Sequence, residues 1–167
     1  MKQALMLMGN LGAGKSTIGR MFEAEGWCRI VIDDFRAHSL KGVAIDFENE
    51  YLARNAMLAA IHAAKSNIVY ETTTANQVHP KVLKALETKR MRMTRVRLLV
   101  SEVESRKRVE RRGFGSAQPP YPFAKSHAES FGYIERKLNA DWADVVMDSE
   151  RMGVEEIFKN VRGFLDT

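Results

Sequence analysis

Cysteine is almost absent from this sequence, which holds only Cys28 among its 167 residues. A single cysteine excludes a disulfide within the chain, so nothing calls for an oxidising compartment. Long hydrophobic runs are also missing, since none approaches the roughly 18 apolar residues that a membrane-spanning helix needs. We therefore expect a cytoplasmic protein with no membrane partner, and 167 residues fit one domain spanning 1–167.

A large excess of one charge is lacking as well, because 26 Lys and Arg face 21 Asp and Glu, a net +5. The distribution is uneven, however, since residues 81–112 carry 12 Lys and Arg against 4 Glu. Such a basic segment indicates an anionic partner, which could be a nucleoside triphosphate, a phosphorylated acceptor or nucleic acid. A solvated helix face is the alternative explanation for part of it, including Lys81, Lys84, Lys89 and Arg90.

One motif specifies chemistry. A phosphate loop of the form G-x-x-x-x-G-K-[ST] follows the apolar run 4–8, and it comprises Gly9, Asn10, Leu11, Gly12, Ala13, Gly14, Lys15, Ser16 and Thr17. In such a loop backbone N–H groups surround the phosphates, the lysine reaches the β- and γ-phosphates, and the serine hydroxyl binds Mg²⁺. Strand, loop and helix arrive in the required order, which argues against a chance Gly-rich turn. The sequence therefore predicts binding of ATP or GTP with Mg²⁺, with Ser16 as a metal ligand.

Apolar segments alternate with helical patterns along the rest of the chain. Strands are predicted at 4–8, 28–32, 67–70, 94–100 and 143–147, and helices at 16–25, 46–65, 82–90, 102–112, 126–138 and 154–165. This alternation indicates an α/β fold of the P-loop NTPase type, a five-stranded parallel sheet with helices on both faces and ligands at its carboxyl edge. Residues 113–122 are rich in Gly and Pro, so a lid is predicted after strand four, at about 102–125.

Acidic and hydroxyl side chains follow the predicted strands two and three, where they would share one crevice with the phosphate loop. Asp33 is our candidate base for an attacking hydroxyl. Asp34 is either a second acceptor contact or a helix cap. Glu71 either binds Mg²⁺, directly or through water, or merely ends its strand. Thr73 is a weaker candidate for contact with acceptor or phosphate.

Arginines gather on the helix that leads into the predicted lid. We expect Arg108 and Arg111 to bind the phosphates of the donor nucleotide, and at least one arginine of this helix to stabilise the transferring phosphoryl group. The alternative is ion pairing with Glu104 and Glu110 on an exposed helix, which suits any single arginine about equally well.

Over most of its length the sequence resembles the small P-loop kinases (AAA-type ATP-binding kinases) of the group that contains polynucleotide 5′-hydroxyl kinases and zeta-type toxin kinases. Besides the phosphate loop, the resemblance rests on Asp33-Asp34-Phe35-Arg36, which matches an Asp-Asp-[Phe/Tyr]-Arg motif, and on Arg108 to Gly113, which looks like the lid motif. The resemblance implies that Asp33 is the general base, that Arg36 contacts the acceptor and that Arg112 is the transition-state arginine. The strand-three motif departs from the group's Asp-x-Thr-Asn, because it begins with Glu71.

Together these features predict a Mg²⁺-dependent kinase that moves the γ-phosphoryl of ATP or GTP to a hydroxyl of a nucleotide, a nucleic-acid end or a small molecule. Lys15, Asp33 and Arg112 would be its catalytic residues, and the basic segment favours an anionic acceptor. Two hypotheses from other classes stay open: a nucleotide-hydrolysing regulatory switch, and a module that binds nucleotide or nucleic acid without chemistry.

Overall fold

A five-stranded parallel sheet forms the centre of the molecule in the computed structural model, which describes residues 1–39, 50–112 and 126–166. Its strands are β1 (Gln3–Gly9), β2 (Cys28–Ile30), β3 (Ile68–Thr72), β4 (Arg92–Leu99) and β5 (Val145–Asp148). They pair in the order β2-β3-β1-β4-β5. Because β1 is central, the phosphate loop that follows it lies in the middle of the carboxyl edge.

Helices cover both faces of this sheet. They are α1 (Lys15–Ala24), α2 (Ile32–Ser39), α3 (Glu50–Ala63), α4 (His79–Thr88), α5 (Glu102–Arg111), α6 (His127–Ala140) and α7 (Val154–Leu165). Successive residues of β1 point to opposite faces. Ala4, Met6 and Met8 pack with α3, α4 and α6, whereas Leu5 and Leu7 pack with α1 and α7. The predicted five-stranded parallel α/β architecture is therefore confirmed.

The acidic motif lies on a helix and not at the end of a strand. The apolar run 28–32 predicted a longer strand two, but β2 ends at Ile30 and α2 begins at Ile32. Asp33 and Asp34 occupy the first turn of α2, with basic side chains in its last turn, an arrangement that favours the helix through its dipole. At strand three the difference is opposite, because β3 continues through Thr72 and includes Glu71.

Two predictions fall partly outside the described residues. The start of the helix predicted at 46 and the lid residues 113–125 belong to the segments 40–49 and 113–125, which the structure does not describe. Within the described ranges, no helix combines the length and the apolar character needed to cross a bilayer.

Candidate active site

The phosphate loop turns through two glycines in the left-handed region, Gly12 at φ +68° and Gly14 at φ +93°. Helix α1 begins directly afterwards at Lys15, so its first N–H groups face the loop. The Lys15 Nζ donates hydrogen bonds to the carbonyl oxygens of Gly9 at 2.9 Å and Asn10 at 2.8 Å. The ammonium group is thus held over the loop, in the position from which it would reach a phosphate.

Burial and the charges of three other predicted site residues affect the pKa of this ammonium group. Burial lowers the pKa of Lys15 to about 8, although the negative charges of Glu71 and Asp33 act in the opposite direction and the positive charge of Arg112 adds to the lowering. Side chains influence a pKa in this way only from nearby. The pKa of Lys15 therefore responds to three charged side chains that are distant from it in sequence.

Ser16 and Glu71 meet at the start of α1. The hydroxyl of Ser16 donates to Glu71 Oε2 at 2.7 Å, while Glu71 Oε1 accepts from Arg29 Nε at 2.6 Å. Arg29 also donates to Asp34 Oδ2 at 2.7 Å. The two predicted metal ligands are therefore in contact, whereas Asp34 faces Arg29, a residue that the sequence analysis did not single out.

The residues present fit a Mg²⁺ ion of the kind that a phosphate loop implies. Mg²⁺ takes oxygen ligands, usually one or two protein oxygens together with waters and substrate phosphates. The Ser16 hydroxyl and the Glu71 carboxylate supply oxygens beside the loop. Among the described residues no three His, Cys, Asp or Glu side chains form a metal cluster.

The first residues of the phosphate loop are tied to α6. The Asn10 side chain is 1% exposed, and its Nδ2 donates to the Phe131 carbonyl and to Glu135 Oε1, both at 3.0 Å. Its Oδ1 accepts from the backbone N–H of Leu11 at 2.8 Å. The sequence predicts Asn10 only as a member of the loop, because nothing local reveals partners more than 120 residues away.

Helix α5 anchors the next part of the loop. The hydroxyl of the fully buried Ser105 donates to the Leu11 carbonyl at 2.7 Å. Arg108 donates through Nη1 to the Gly12 carbonyl at 3.1 Å, and its Nε pairs with Glu104 at 2.9 Å. The ion pair named as the alternative for the arginines therefore exists at Arg108, beside a contact with the loop backbone.

The remaining predicted arginines differ in position. Arg111 and Arg112 are both exposed at the end of α5. Arg112 also borders a cleft of about 200 Å³ between the phosphate loop and the turn from β5 to α7. Arg108 crosses this cleft and donates to the hydroxyl and the carbonyl of Ser149, both at 3.0 Å. The cleft thus lies between the phosphate loop and the β5–α7 turn, with Arg108 spanning it.

The opposite side of the loop holds the acidic motif. Asp33 is 76% exposed and accepts from Arg36 Nη1 at 2.7 Å. The rest of the Arg36 guanidinium is bound by the buried carboxylate of Glu50, with Nη2 to Oε1 at 2.6 Å. Thr73, half-buried, directly follows β3. Glu50, which the sequence did not indicate as a site residue, thus holds the side of the Arg36 guanidinium that does not contact Asp33.

Comparison with known proteins gives structural relatives only. No protein-family model and no curated protein matches the sequence. Shikimate kinase from Acinetobacter baumannii is 16% identical over 99% of this chain and 93% of its own, with a TM-score of 0.66. APS kinase of Mycobacterium tuberculosis is 13% identical over 99% and 98%, with a TM-score of 0.64. A chain of the Pnkp1/Rnl/Hen1 RNA repair complex is 18% identical over 84% of this chain and 46% of that one, at a TM-score of 0.66. The protein described here has the α/β fold of the P-loop kinases.

Proposed function

We propose that this protein is a Mg²⁺-dependent kinase that transfers the γ-phosphoryl group of ATP or GTP to an acceptor hydroxyl. The observation that supports the proposal is the phosphate loop with its ordered Lys15, whose pKa is affected by the exposed carboxylate of Asp33, paired with Arg36, and by the exposed guanidinium of Arg112. Phosphoryl transfer needs a group that accepts the proton of the nucleophile and cations for the charge of the transferring group. A hydrolytic switch has little use for such a carboxylate on an acceptor side.

The proposed reaction follows from these positions. Asp33 accepts the proton of the acceptor hydroxyl, whose oxygen forms a bond to the γ-phosphorus while the bond to the β,γ-bridging oxygen breaks. Lys15 and Arg112 stabilise the negative charge of the transferring group, and the nucleoside diphosphate leaves. Arg108 and Arg111 would add positive charge near the donor phosphates, although Arg108 is already committed to the Gly12 carbonyl and to Ser149.

Ser16 and Glu71 would hold the metal ion beside the phosphates. When bound, Mg²⁺ neutralises the negative charge of the β- and γ-phosphate oxygens. The protein prepares this site through the contact between the two residues at 2.7 Å. The compartment that this proposal requires is one that supplies ATP, which is consistent with a cytoplasmic location.

The acceptor side is proposed to consist of Asp33, Arg36 and Thr73, with Asp34 at its border. A nucleotide, a nucleic-acid end or a small molecule remains the proposed acceptor, with an anionic group facing Arg36. Solved structures with this fold include shikimate kinase in complex with shikimate and APS kinase in complex with AMPPNP and APS. The fold therefore accommodates bound molecules both with and without a nucleotide part. Glu50 braces Arg36 with two oxygens, so the guanidinium presents one edge to Asp33.

The test is transfer of labelled γ-phosphate from ATP and from GTP to a panel of nucleosides, nucleoside monophosphates, 5′-hydroxyl oligonucleotides, sugars and hydroxy acids. Asp33→Asn keeps the size of the side chain and should lower transfer by about 10²- to 10⁴-fold, the usual contribution of a general base, while ATP still binds. Asp166→Asn, a change at an exposed carboxylate beyond α7, is the matched control. Hydrolysis unaffected by Asp33→Asn would favour the switch, and binding without turnover would favour the binding module.

A further inference from the structure

Arg29 forms a buried charge network that neither the phosphate loop nor the acidic motif requires. Its side chain is 7% exposed on β2, and that of its partner Glu71 is 2% exposed. Burial disfavours the charge of Arg29, but the hydrogen bond and the negative charge of Glu71 raise its pKa above the ordinary value. Replacing a buried ion pair by apolar residues is often neutral or stabilising, so stability alone is a weak reason for this pair.

The two oxygens of Glu71 have separate partners, and this determines which way the Ser16 hydroxyl donates its hydrogen bond. Oε1 accepts from Arg29, so Oε2 is the oxygen that faces Ser16 at 2.7 Å. A carboxylate only accepts, and a hydroxyl has one proton and two lone pairs. Ser16 therefore donates a hydrogen bond to Glu71 Oε2, and its lone pairs point away from that carboxylate.

Two further contacts keep the carboxylate in this orientation. The Nη1 of Arg29 donates to Asp34 Oδ2 at 2.7 Å, so the guanidinium is held from a second side. Position 19 is glycine, and a Cβ there would lie 2.2 Å from Glu71 Oε1. The carboxylate thus lies directly against the backbone of α1, in a space that only glycine leaves open.

We propose that Arg29 is a positioning residue for the metal–nucleotide site. By holding Glu71 Oε1, it keeps Oε2 on the Ser16 hydroxyl and leaves the lone pairs of that hydroxyl for the divalent ion. In the same arrangement, Asp34 serves to hold Arg29 and not to bind the acceptor. The inference rests on the proposed function only to the extent that the protein binds a Mg²⁺–triphosphate, and it is independent of whether transfer follows.

The experiment measures ATP affinity by isothermal titration calorimetry, once with excess Mg²⁺ and once with EDTA, and takes the ratio of the two dissociation constants. Arg29→Met should reduce the Mg²⁺-dependent gain in affinity by about tenfold or more, as expected when the partner of a metal ligand is removed. Its affinity in EDTA should change little. Ser16→Ala should lose the same gain, and the double variant should lose no more than either single variant.

Arg162→Met is the matched control, because Arg162 pairs with Glu25 at 3.3 Å on the surface, at 41% exposure. It should keep the wild-type ratio. Arg29→Lys retains a positive charge beside Glu71 but cannot bind Glu71 and Asp34 at once as the guanidinium does. It provides a folded variant if Arg29→Met does not fold, and its ratio of dissociation constants should lie between those of the wild type and Arg29→Met. A wild-type ratio in either folded Arg29 variant, or losses that add in the double variant, would show that the pair is only structural. If the wild-type protein binds no ATP, the proposed function fails with this inference, whereas ATP binding without transfer removes only the kinase proposal.

Discussion

Replacing Gly19 by alanine should destabilise the protein, although the same change inside a helix is normally favourable. The added Cβ would lie 2.2 Å from Glu71 Oε1, 3.0 Å from its Cδ and 3.3 Å from Arg29 Nε. A free carboxylate would swing aside at small cost. This one is held by Arg29 on one oxygen and by Ser16 on the other, so the clash is relieved only by breaking one of these contacts.

Two opposing contributions give the magnitude. Alanine is favoured over glycine in a helix interior by about 0.8–1.0 kcal/mol. Separation of a buried ion pair, with a charge left without its partner, costs about 3–5 kcal/mol. The free energy of unfolding should therefore fall by about 2–4 kcal/mol. If the clash breaks only the hydrogen bond between Ser16 and Glu71, the loss of stability should be smaller, but the Mg²⁺-dependent part of ATP affinity should be abolished.

Urea denaturation followed by circular dichroism measures the change in unfolding free energy. Gly163→Ala is the matched control, because Gly163 is exposed on α7 and an added Cβ would meet no atom within 4 Å. This control should leave stability unchanged or raise it by up to about 1 kcal/mol. A Gly19→Ala protein as stable as the wild type, with unaltered Mg²⁺-dependent ATP affinity, would refute the close packing of Glu71 on α1.

ATP binding at pH 8 should take up about half a proton, because the pKa of Lys15 is about 8 and bound phosphates raise it. Calorimetry in buffers of different ionisation enthalpy measures this uptake. The Lys15→Arg variant should show no such uptake. Asn10→Ala should lower the unfolding free energy by about 1–3 kcal/mol in urea titrations, because it leaves buried partners at Leu11 and Phe131 unpaired. Burial lowers the pKa of His79 below its ordinary value, so the unfolded chain binds more protons and stability should fall as the pH drops below about 6.5. His79→Gln should flatten that dependence in urea midpoints measured from pH 7 to pH 5.

The order of the elements and the parallel sheet could be predicted because each strand is a short apolar run that turn residues or polar loops separate from a helix. The ends of the strands and helices were harder to predict from the sequence. Ile30 to Ile32 continue an apolar run, so strand two was predicted too long, and only the placement of acidic residues before Arg36 and His38 carried a signal for the start of α2. Glu71 was predicted just beyond strand three, but its pairing opposite Leu7 extends β3 past it.

The candidate site likewise contains residues that the sequence indicated and residues that it did not. The loop residues follow from local pattern, and the charges of Asp33 and Arg112 both affect the pKa of Lys15. Their roles, like those of Arg36 and Thr73, stay predictions. Arg29 and Glu50 could not be predicted as site residues. Each acts through a contact across the sheet or between helices, and a single sequence holds no record of which distant side chains meet.

Strands β1 and β2 differ in length and in pairing, so the two should differ in local stability. Strand β1, which ends in the phosphate loop, has seven residues and is paired on both sides, whereas β2 has three residues and is paired only with β3. Segments with few hydrogen bonds at an edge open at lower free energy than the centre of a sheet. Amide hydrogens of β2 should exchange with solvent well before those of β1. Local opening of β2 should therefore loosen the surroundings of Arg29, while the strand that leads into the phosphate loop stays paired on both sides.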